Sequence, residues 1–150
     1  MLHGGSMYKR VLTAIDLSEE ASHRALRAGA AQLAAGGEHY VVYVVEPQYL
    51  QYSMDPTLSG TMTHDLEAAA TEAATRRLED ICADYEIAQK HVRFGRPAAE
   101  IHHLARELNA ELIVVSSHGS RGWRRVLGST ANAVLHGTPV DTLVATTSLR

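Results

Sequence analysis

The sequence predicts an α/β fold built on a parallel sheet, and three observations point to it. Short apolar or alternating runs are separated by longer segments whose apolar residues recur at helical spacing. The run His39–Val45 (HYVVYVV) is apolar almost throughout, which is typical of a parallel strand covered on both faces. The alternation continues along the chain in the order β-α-β-α-β-α-β-α-β. Such alternation indicates a parallel sheet with helices on both faces.

Each strand is predicted from a run of apolar or alternating residues that ends in turn-forming sequence. The five strands are expected at Tyr8–Ile15, His39–Val45, Ile87–Phe94, Leu112–Ser116 and Val140–Thr146. The four helices are expected from Asp16 to about Leu33, at Thr61–Tyr85, at about Ala98–Leu108 and at Thr130–His136.

The helix boundaries rest on capping and turn residues. The first helix is predicted to have Asp16 or Ser18 as its N-cap and to stop at Gly36-Gly37. Residues 48–60 have no periodicity and are expected to form a long loop. The buried stripe of the long second helix is predicted from helical spacing as Leu66, Ala70, Ala73, Leu78 and Ile81.

Composition and charge bound the classes of function. At 150 residues, with 45% apolar and 21% charged residues, the chain has the size and composition of one globular domain. We expect a flexible leader at residues 1–7 and a single domain at residues 8–150. The net charge of −3 does not favour a surface for nucleic acid or anionic membranes.

The compartment is inferred from what the sequence lacks. The single cysteine, Cys82, rules out an intramolecular disulfide. Apolar runs are too short to span a bilayer, and residues 1–9 have no signal-peptide hydrophobic region. We therefore expect a cytoplasmic protein.

The segment Glu111–Leu135 (ELIVVSSHGSRGWRRVLGSTANAVL) carries the clearest functional pattern. A strand leads through Gly119 and Gly122 to Gly128-Ser129-Thr130, which opens a helix. Glycines let the backbone approach an anion and adopt φ > 0, and a helix start offers unpaired N–H groups at the positive end of its dipole. The order therefore predicts a phosphate site, although a Gly-Ser-Thr before a helix is also a common cap.

The glycine spacing excludes two familiar loops. Five residues separate Gly122 from Gly128 and no lysine follows Gly128, so the segment is not a Walker A loop. The Rossmann pattern G-x-G-x-x-G is absent as well. Neighbouring arginines add positive charge or form a solvated surface: Arg121, Arg124 and Arg125.

Asp16 ends the first strand, on the same predicted sheet edge as the glycine segment. Its carboxylate could accept hydrogen bonds from a ribose or an adenine, or help to hold Mg²⁺. The structural alternative is an N-cap, because Asp16 and Glu19 have capping-box spacing.

Other reactive residue types form no catalytic or metal-binding pattern. His102 and His103 are adjacent on a helix, so they diverge by about 100° and cannot share a metal on one face. Cys82 lies within a helix and is interpreted as a packing residue. His118 could contact a ligand or hydrogen-bond its own turn, and Trp123 is interpreted first as a packing residue. We expect no catalytic residue and no metal site.

From about Tyr8 to Thr146 the chain resembles the universal stress protein family, of the short single-domain kind. The resemblance starts with YKRVLTAIDLSEEA, continues with VVYVVEP, and is most specific in VVSSHGSRGWRRVLGSTANAVLHGTPVDTLVAT. It implies a Rossmann-like fold of the adenine nucleotide alpha hydrolase kind, with an open five-stranded parallel sheet in the order 3-2-1-4-5. Strands one and four are then neighbours at the point where the strand order reverses.

Nucleotide-binding members of this family resemble the pattern G-x-x-G-x9-G-[ST]. Here Ser116 stands at the first glycine, Gly119 matches the second, and Gly128-Ser129 matches the end. The spacer from Gly119 to Gly128 is eight residues, one short of the pattern. The residue pattern and the resemblance together predict that an adenine nucleotide contacts these residues: Ala14, Asp16, Val44, Ser116, His118, Gly119, Gly122, Gly128, Ser129 and Thr130.

The function implied is binding of ATP, with at most slow hydrolysis, by a dimeric regulator of a stress response. The requirement for Mg²⁺ stays open. A homodimer is expected through the last strand, Val140–Thr146, because a short apolar edge near the chain end is prone to pairing.

Two alternatives to this function remain. Ser116 and the short spacer favour a nucleotide-free dimeric adaptor of the same fold, with residues 46–60 or Trp123 as its contact surface. A nucleotidyl-transfer or hydrolase enzyme is allowed by fold analogy alone.

Overall fold

The computed structural model describes residues 7–47, 60–117 and 128–146, with side chains from residue 64 onward in the second range. The five strands are β1 (Tyr8–Ala14), β2 (Leu33–Val45), β3 (Gln89–Phe94), β4 (Leu112–Ser116) and β5 (Asp141–Ala145). The four helices of these ranges are α1 (Glu19–Ala31), α2 (Gly60–Cys82), α3 (Pro97–Glu107) and α4 (Ser129–Leu135).

The strands form one sheet in the order β3-β2-β1-β4-β5, and every neighbouring pair is parallel. The predicted fold class and strand order are therefore confirmed. The chain passes from β1 to β2 and β3 on one side, and from β4 to β5 on the other. The order reverses between β1 and β4, which places the switch point of the sheet there.

Side chains alternate between two apolar layers, one on each face of the sheet. Helices α3 and α4 cover one face with Ile101, Leu104 and Val134, which are almost inaccessible to solvent. Helices α1 and α2 cover the other face with Leu26 and Leu78. This arrangement explains the continuous apolar runs, because each central strand needs apolar residues on both of its faces.

The stripe predicted for α2 is wrong at one position. Leu78 and Ile81 are buried, and Leu66 and Ala70 are half-buried, but Ala73 is exposed and Ala74 is buried in its place. Ala74 lies four residues before Leu78, so the stripe follows a spacing of four there. Sequence alone does not distinguish two adjacent alanines, because either fits a helical period.

Gly36-Gly37 does not end the first helix, contrary to the prediction. Helix α1 ends at Ala31 and β2 begins at Leu33, so both glycines lie in the strand. Tyr8 pairs with Leu33 whereas Arg10 pairs with Glu38, which makes this part of β2 bulge away from β1. Gly36 has φ +74°, a conformation that glycine adopts without strain. The glycines therefore form a strand irregularity.

A buried polar pair lies between β1, β2 and α1. The Thr13 Oγ1 and His39 Nε2 atoms are 2.7 Å apart, and both residues are almost fully buried. A Cβ added to Gly29 of α1 would lie 2.4 Å from the Thr13 hydroxyl and 2.8 Å from His39 Nε2. The missing side chain of Gly29 thus lets α1 lie close to this pair.

Within the described ranges, no helix combines the length and the apolar character that a membrane span requires.

We expect stability to fall with acid because of His39. Burial lowers the pKa of His39 from 6.5 to about 4, so the unfolded chain binds a proton that the folded protein excludes. The contribution is fully present above pH 6.5 and is lost as the pH falls towards 4, by up to about 3 kcal/mol. Urea unfolding at pH 7.5 and at pH 5 should show this loss in the wild-type protein.

The control is His39→Gln, whose side chain does not titrate in this range and can still hydrogen-bond Thr13. Its stability should decline less between the two pH values than that of the wild type. An equal decline in both proteins would contradict the assignment to His39.

Candidate functional site

A cavity opens at the carboxyl ends of β1 and β4, where the strand order reverses. Its volume is about 330 Å³. The ends of β1, β2 and β4 form its base, and the starts of α3 and α4 close two of its sides. We call it the switch-point cavity. Its lining residues are Ala14, Ile15, Asp16, Val42, Tyr43, Val44, Glu46, Pro97, Ile101, Val115, Ser116, Gly128, Ser129, Thr130 and Ala131.

Seven of the ten sequence-predicted site residues line this cavity. They are Ala14, Asp16, Val44, Ser116, Gly128, Ser129 and Thr130. The other three, His118, Gly119 and Gly122, lie outside the described residues, as do Trp123 and the arginines at 121, 124 and 125. The fold therefore brings most of the predicted residues together at one cavity, from three distant parts of the chain.

Several lining residues were not predicted. Val42, Ile101, Val115 and Ala131 are buried members of the α3–α4 layer whose outer ends reach the cavity. Pro97 follows β3 as the first residue of α3. The sequence could have indicated Pro97 as a lining residue, because the turn Gly95-Arg96-Pro97 also follows a strand at the carboxyl edge of the sheet.

The α4 wall of the cavity is formed by the start of a helix. Gly128 is the N-cap, and its N–H donates to the Ser117 carbonyl. Ser117 N–H in turn donates to Ala145 O at 2.9 Å, which ties the helix start to β5. The first bond within the helix runs from Asn132 N–H to Gly128 O at 2.9 Å.

The N–H groups of Ser129, Thr130 and Ala131 precede that first bond, so no carbonyl of their own helix accepts from them. These donors and the positive end of the helix dipole lie at this wall of the cavity, where they would stabilise a bound anion. Gly128 has φ −59° and ψ 158°, which other residues also adopt. At the cavity, Gly128 leaves space because it has no side chain. The position does not require a positive φ.

The Asp16 side chain is held by its own turn. Its Oδ1 atom accepts from Ser18 N–H at 3.0 Å, from Ser18 Oγ at 2.7 Å and from Ser22 Oγ at 3.4 Å. Ser18 is the N-cap of α1, and it makes no side-chain capping bond. The capping-box interpretation of Asp16 and Glu19 is therefore wrong.

The charges of the described cavity wall are unevenly distributed. Asp16 after β1 and Glu46 after β2 are the charged residues among the described lining, and both are acidic. The opposite wall, at Ser129 and Thr130, carries hydroxyls and backbone donors. An elongated ligand would therefore place hydroxyl or amino groups at the carboxylates and an anionic group at the helix start.

Three of the residues considered for reactivity, His102, His103 and Cys82, make structural contacts. His102 Nε2 donates to Val134 O at 2.7 Å and is buried, whereas His103 Nε2 lies 2.9 Å from Glu107. Cys82 is buried, and burial raises the pKa of its thiol. In the described part of the chain, no group of three potential ligands is placed to hold a metal ion.

The fold and the site together define an open, parallel α/β domain with a cavity at its switch point, and comparison with known proteins gives its family. The sequence model of the universal stress protein family matches residues 7–146. Universal stress protein A homolog 1 of Coxiella burnetii is 32% identical over 138 residues, which cover 91% of this chain and 94% of that protein. The chain belongs to the universal stress protein family.

Solved structures show the same fold. The protein MJ0577 has a TM-score of 0.78 at 22% identity, covering 96% of this chain and 99% of its own. A universal stress protein from Archaeoglobus fulgidus in complex with dAMP has a TM-score of 0.59 at 21% identity, covering 91% and 97%. A universal stress protein in complex with cAMP has a TM-score of 0.57 at 23% identity, covering 94% and 98%.

Two variants of Asp16 should separate its structural role from its charge. Asp16→Asn keeps an oxygen that accepts from Ser18 and Ser22, so its free energy of unfolding should stay close to that of the wild type. Asp16→Ala removes the acceptor and should lose about 1 kcal/mol, as when a capping residue is removed. Urea unfolding of the three proteins measures both effects. Equal losses for the two variants would show that the carboxylate charge, and not the acceptor, holds the turn.

Proposed function

We propose that this universal stress protein binds an adenine nucleotide, ATP in particular, in the switch-point cavity, and that it acts as a dimeric cytoplasmic regulator of a stress response. The observation that supports this most is the cavity itself, where a helix start faces the end of β1. The related structures in complex with dAMP and cAMP support the same class of ligand.

The walls of the cavity favour one orientation of the nucleotide. Carboxylates repel phosphates, so the phosphates would lie at the opposite wall, against the N–H groups of Ser129 and Thr130. The sugar hydroxyls would then face Asp16. Val44 is half-buried and lines the cavity with Val42, so the base would lie on the apolar end of β2.

The sequence pattern predicts further contacts to His118, Gly119 and Gly122, which lie outside the described residues. Ser116 lines the cavity at the end of β4, where the family pattern has glycine. The proposed site includes it as a wall residue.

The deciding experiment is isothermal titration calorimetry of the purified protein with ATP, in Mg²⁺ and in EDTA. AMP and GTP in parallel test the contributions of the phosphates and of the base. The double variant Ser129→Ala, Thr130→Ala removes two exposed hydroxyls at the helix start. We expect ATP affinity to fall tenfold or more, since each hydrogen bond to a charged group contributes about 1.5–3 kcal/mol.

Thr75→Ala is the matched control, because it removes an exposed helical hydroxyl on α2 that donates to Thr71 O. Its affinity for ATP should equal that of the wild type. Absence of heat and of competition with any nucleotide would overturn the proposal and leave the nucleotide-free adaptor. An equal loss of ATP affinity in the control and in the double variant would show that the start of α4 is not part of the site.

We propose binding without efficient turnover. Of the two carboxylates in the described lining of the cavity, Asp16 already accepts three hydrogen bonds on Oδ1. The same ATP samples, assayed for released phosphate, test this part independently of affinity.

The proposed homodimer forms through β5. In the part of the chain that the structure describes, β3 and β5 are the two edges of the sheet. Strand β3 carries Lys90 and Arg93, and charged residues protect an edge from pairing. Strand β5 reads DTLVA and has one charge, at its first residue. It is therefore the edge better suited to a second copy.

Hydrogen exchange over a range of protein concentrations tests this interface. We expect sedimentation velocity to show a dimer, and the amides of residues 141–145 to become less protected on dilution to the monomer. Residues 89–94 of the other edge strand serve as the internal control. A stable dimer whose β5 amides exchange as fast as those of the monomer would place the interface elsewhere.

A further inference from the structure

Leu17 has a backbone conformation that is rare for its residue type. Its φ is +66°, in the left-handed region. Asn109 is the other non-glycine residue with positive φ in the described ranges, and asparagine tolerates this region far better than leucine. A leucine persists there only when its surroundings hold it, and such residues concentrate at functional sites.

The surroundings that hold Leu17 are apolar and lie on the α1–α2 side of the sheet. Its half-buried side chain packs against the buried cluster of Ile15, Leu26, Val41, Leu78, Ile81 and Cys82. Burial of the leucine therefore stabilises the turn against the cost of its backbone conformation.

Asp16, the residue before Leu17, lies at the switch-point cavity and not in this apolar cluster. It is exposed and lines the switch-point cavity. Its Oδ1 atom accepts from the N–H and hydroxyl of Ser18, the residue that follows Leu17. Asp16 and its main hydrogen-bond donor, Ser18, are thus the residues directly before and after Leu17. A change in the Leu17 backbone would move one relative to the other.

We propose that Leu17 is a positioning residue for the nucleotide site. Its half-buried side chain locks the left-handed turn, and the turn fixes the Asp16 carboxylate at the cavity. The inference rests on the proposed nucleotide binding for its affinity test, and it extends that function to a residue outside the cavity.

Two substitutions separate the anchor from the backbone conformation. Leu17→Gly adopts the positive φ freely but removes the apolar anchor, whereas Leu17→Met keeps an apolar side chain of similar volume. Each is made in the wild type and in Asp16→Asn, and ATP affinity is measured by calorimetry. We expect Leu17→Gly to weaken binding about tenfold with Asp16 present and less than about twofold in Asp16→Asn, since residues that act through one another are not additive. Leu17→Met should bind as the wild type does.

A merely structural role would give a different pattern. Ile81→Val perturbs the same apolar cluster on α2 and should lower the melting temperature without changing ATP affinity. An equal loss of affinity for Leu17→Gly in both backgrounds would overturn the proposal. So would a loss of affinity in Ile81→Val as large as that in Leu17→Gly.

A readout without nucleotide keeps this inference separate from the proposed function. The Ser18 amide donates to Asp16 Oδ1 at 3.0 Å, so its exchange with solvent reports the turn directly. NMR exchange rates should rise for Ser18 in Leu17→Gly and stay unchanged in Leu17→Met. If the wild type binds no nucleotide, the proposed function fails, and unchanged Ser18 exchange in Leu17→Gly would then overturn the positioning role as well.

Discussion

The reversal of strand order between β1 and β4 is the constraint on which the rest of this structure depends. Crossovers between parallel strands are right-handed, so chain segments leaving β1 and β4 must turn to opposite faces of the sheet. Among residues 7–47, 60–117 and 128–146, no segment covers the gap between the two strand ends, and the switch-point cavity lies there. The topology therefore determines where a ligand can enter before any side chain is considered.

Local interactions then give this cavity its chemistry. On one wall, hydrogen bonds within the turn at Asp16 hold a carboxylate. On the other, the short helix α4 is fastened at both ends, by Ser117 to its N-cap and by His102 to the carbonyl of Val134. A seven-residue helix has little stability of its own, so these contacts and its buried residues keep its first N–H groups in place.

The sequence was sufficient for the elements and for much of the site, because both depend on short-range patterns. Apolar periodicity identified all nine elements of the described ranges, and strand-end positions pointed to Asp16 and Gly128. The strand order needed the family resemblance, since alternation of strands and helices is compatible with several orders. Glu46 was missed because its place on the cavity wall depends on which strand ends are neighbours. Likewise, the contact between Thr13 and His39 joins residues whose pairing only the sheet register determines.

The structure changes how Ser116, which stands where the family pattern has glycine, is interpreted. A glycine in a loop often serves a positive φ, and serine would then be strained. Here the position is the last residue of β4 and pairs with Ala145 of β5, so its backbone is that of an ordinary strand. The difference between serine and glycine is therefore steric: a Cβ and a hydroxyl occupy part of the cavity wall. That hydroxyl can also donate a hydrogen bond, so the substitution reduces the space for a ligand while adding a polar group that can bind one.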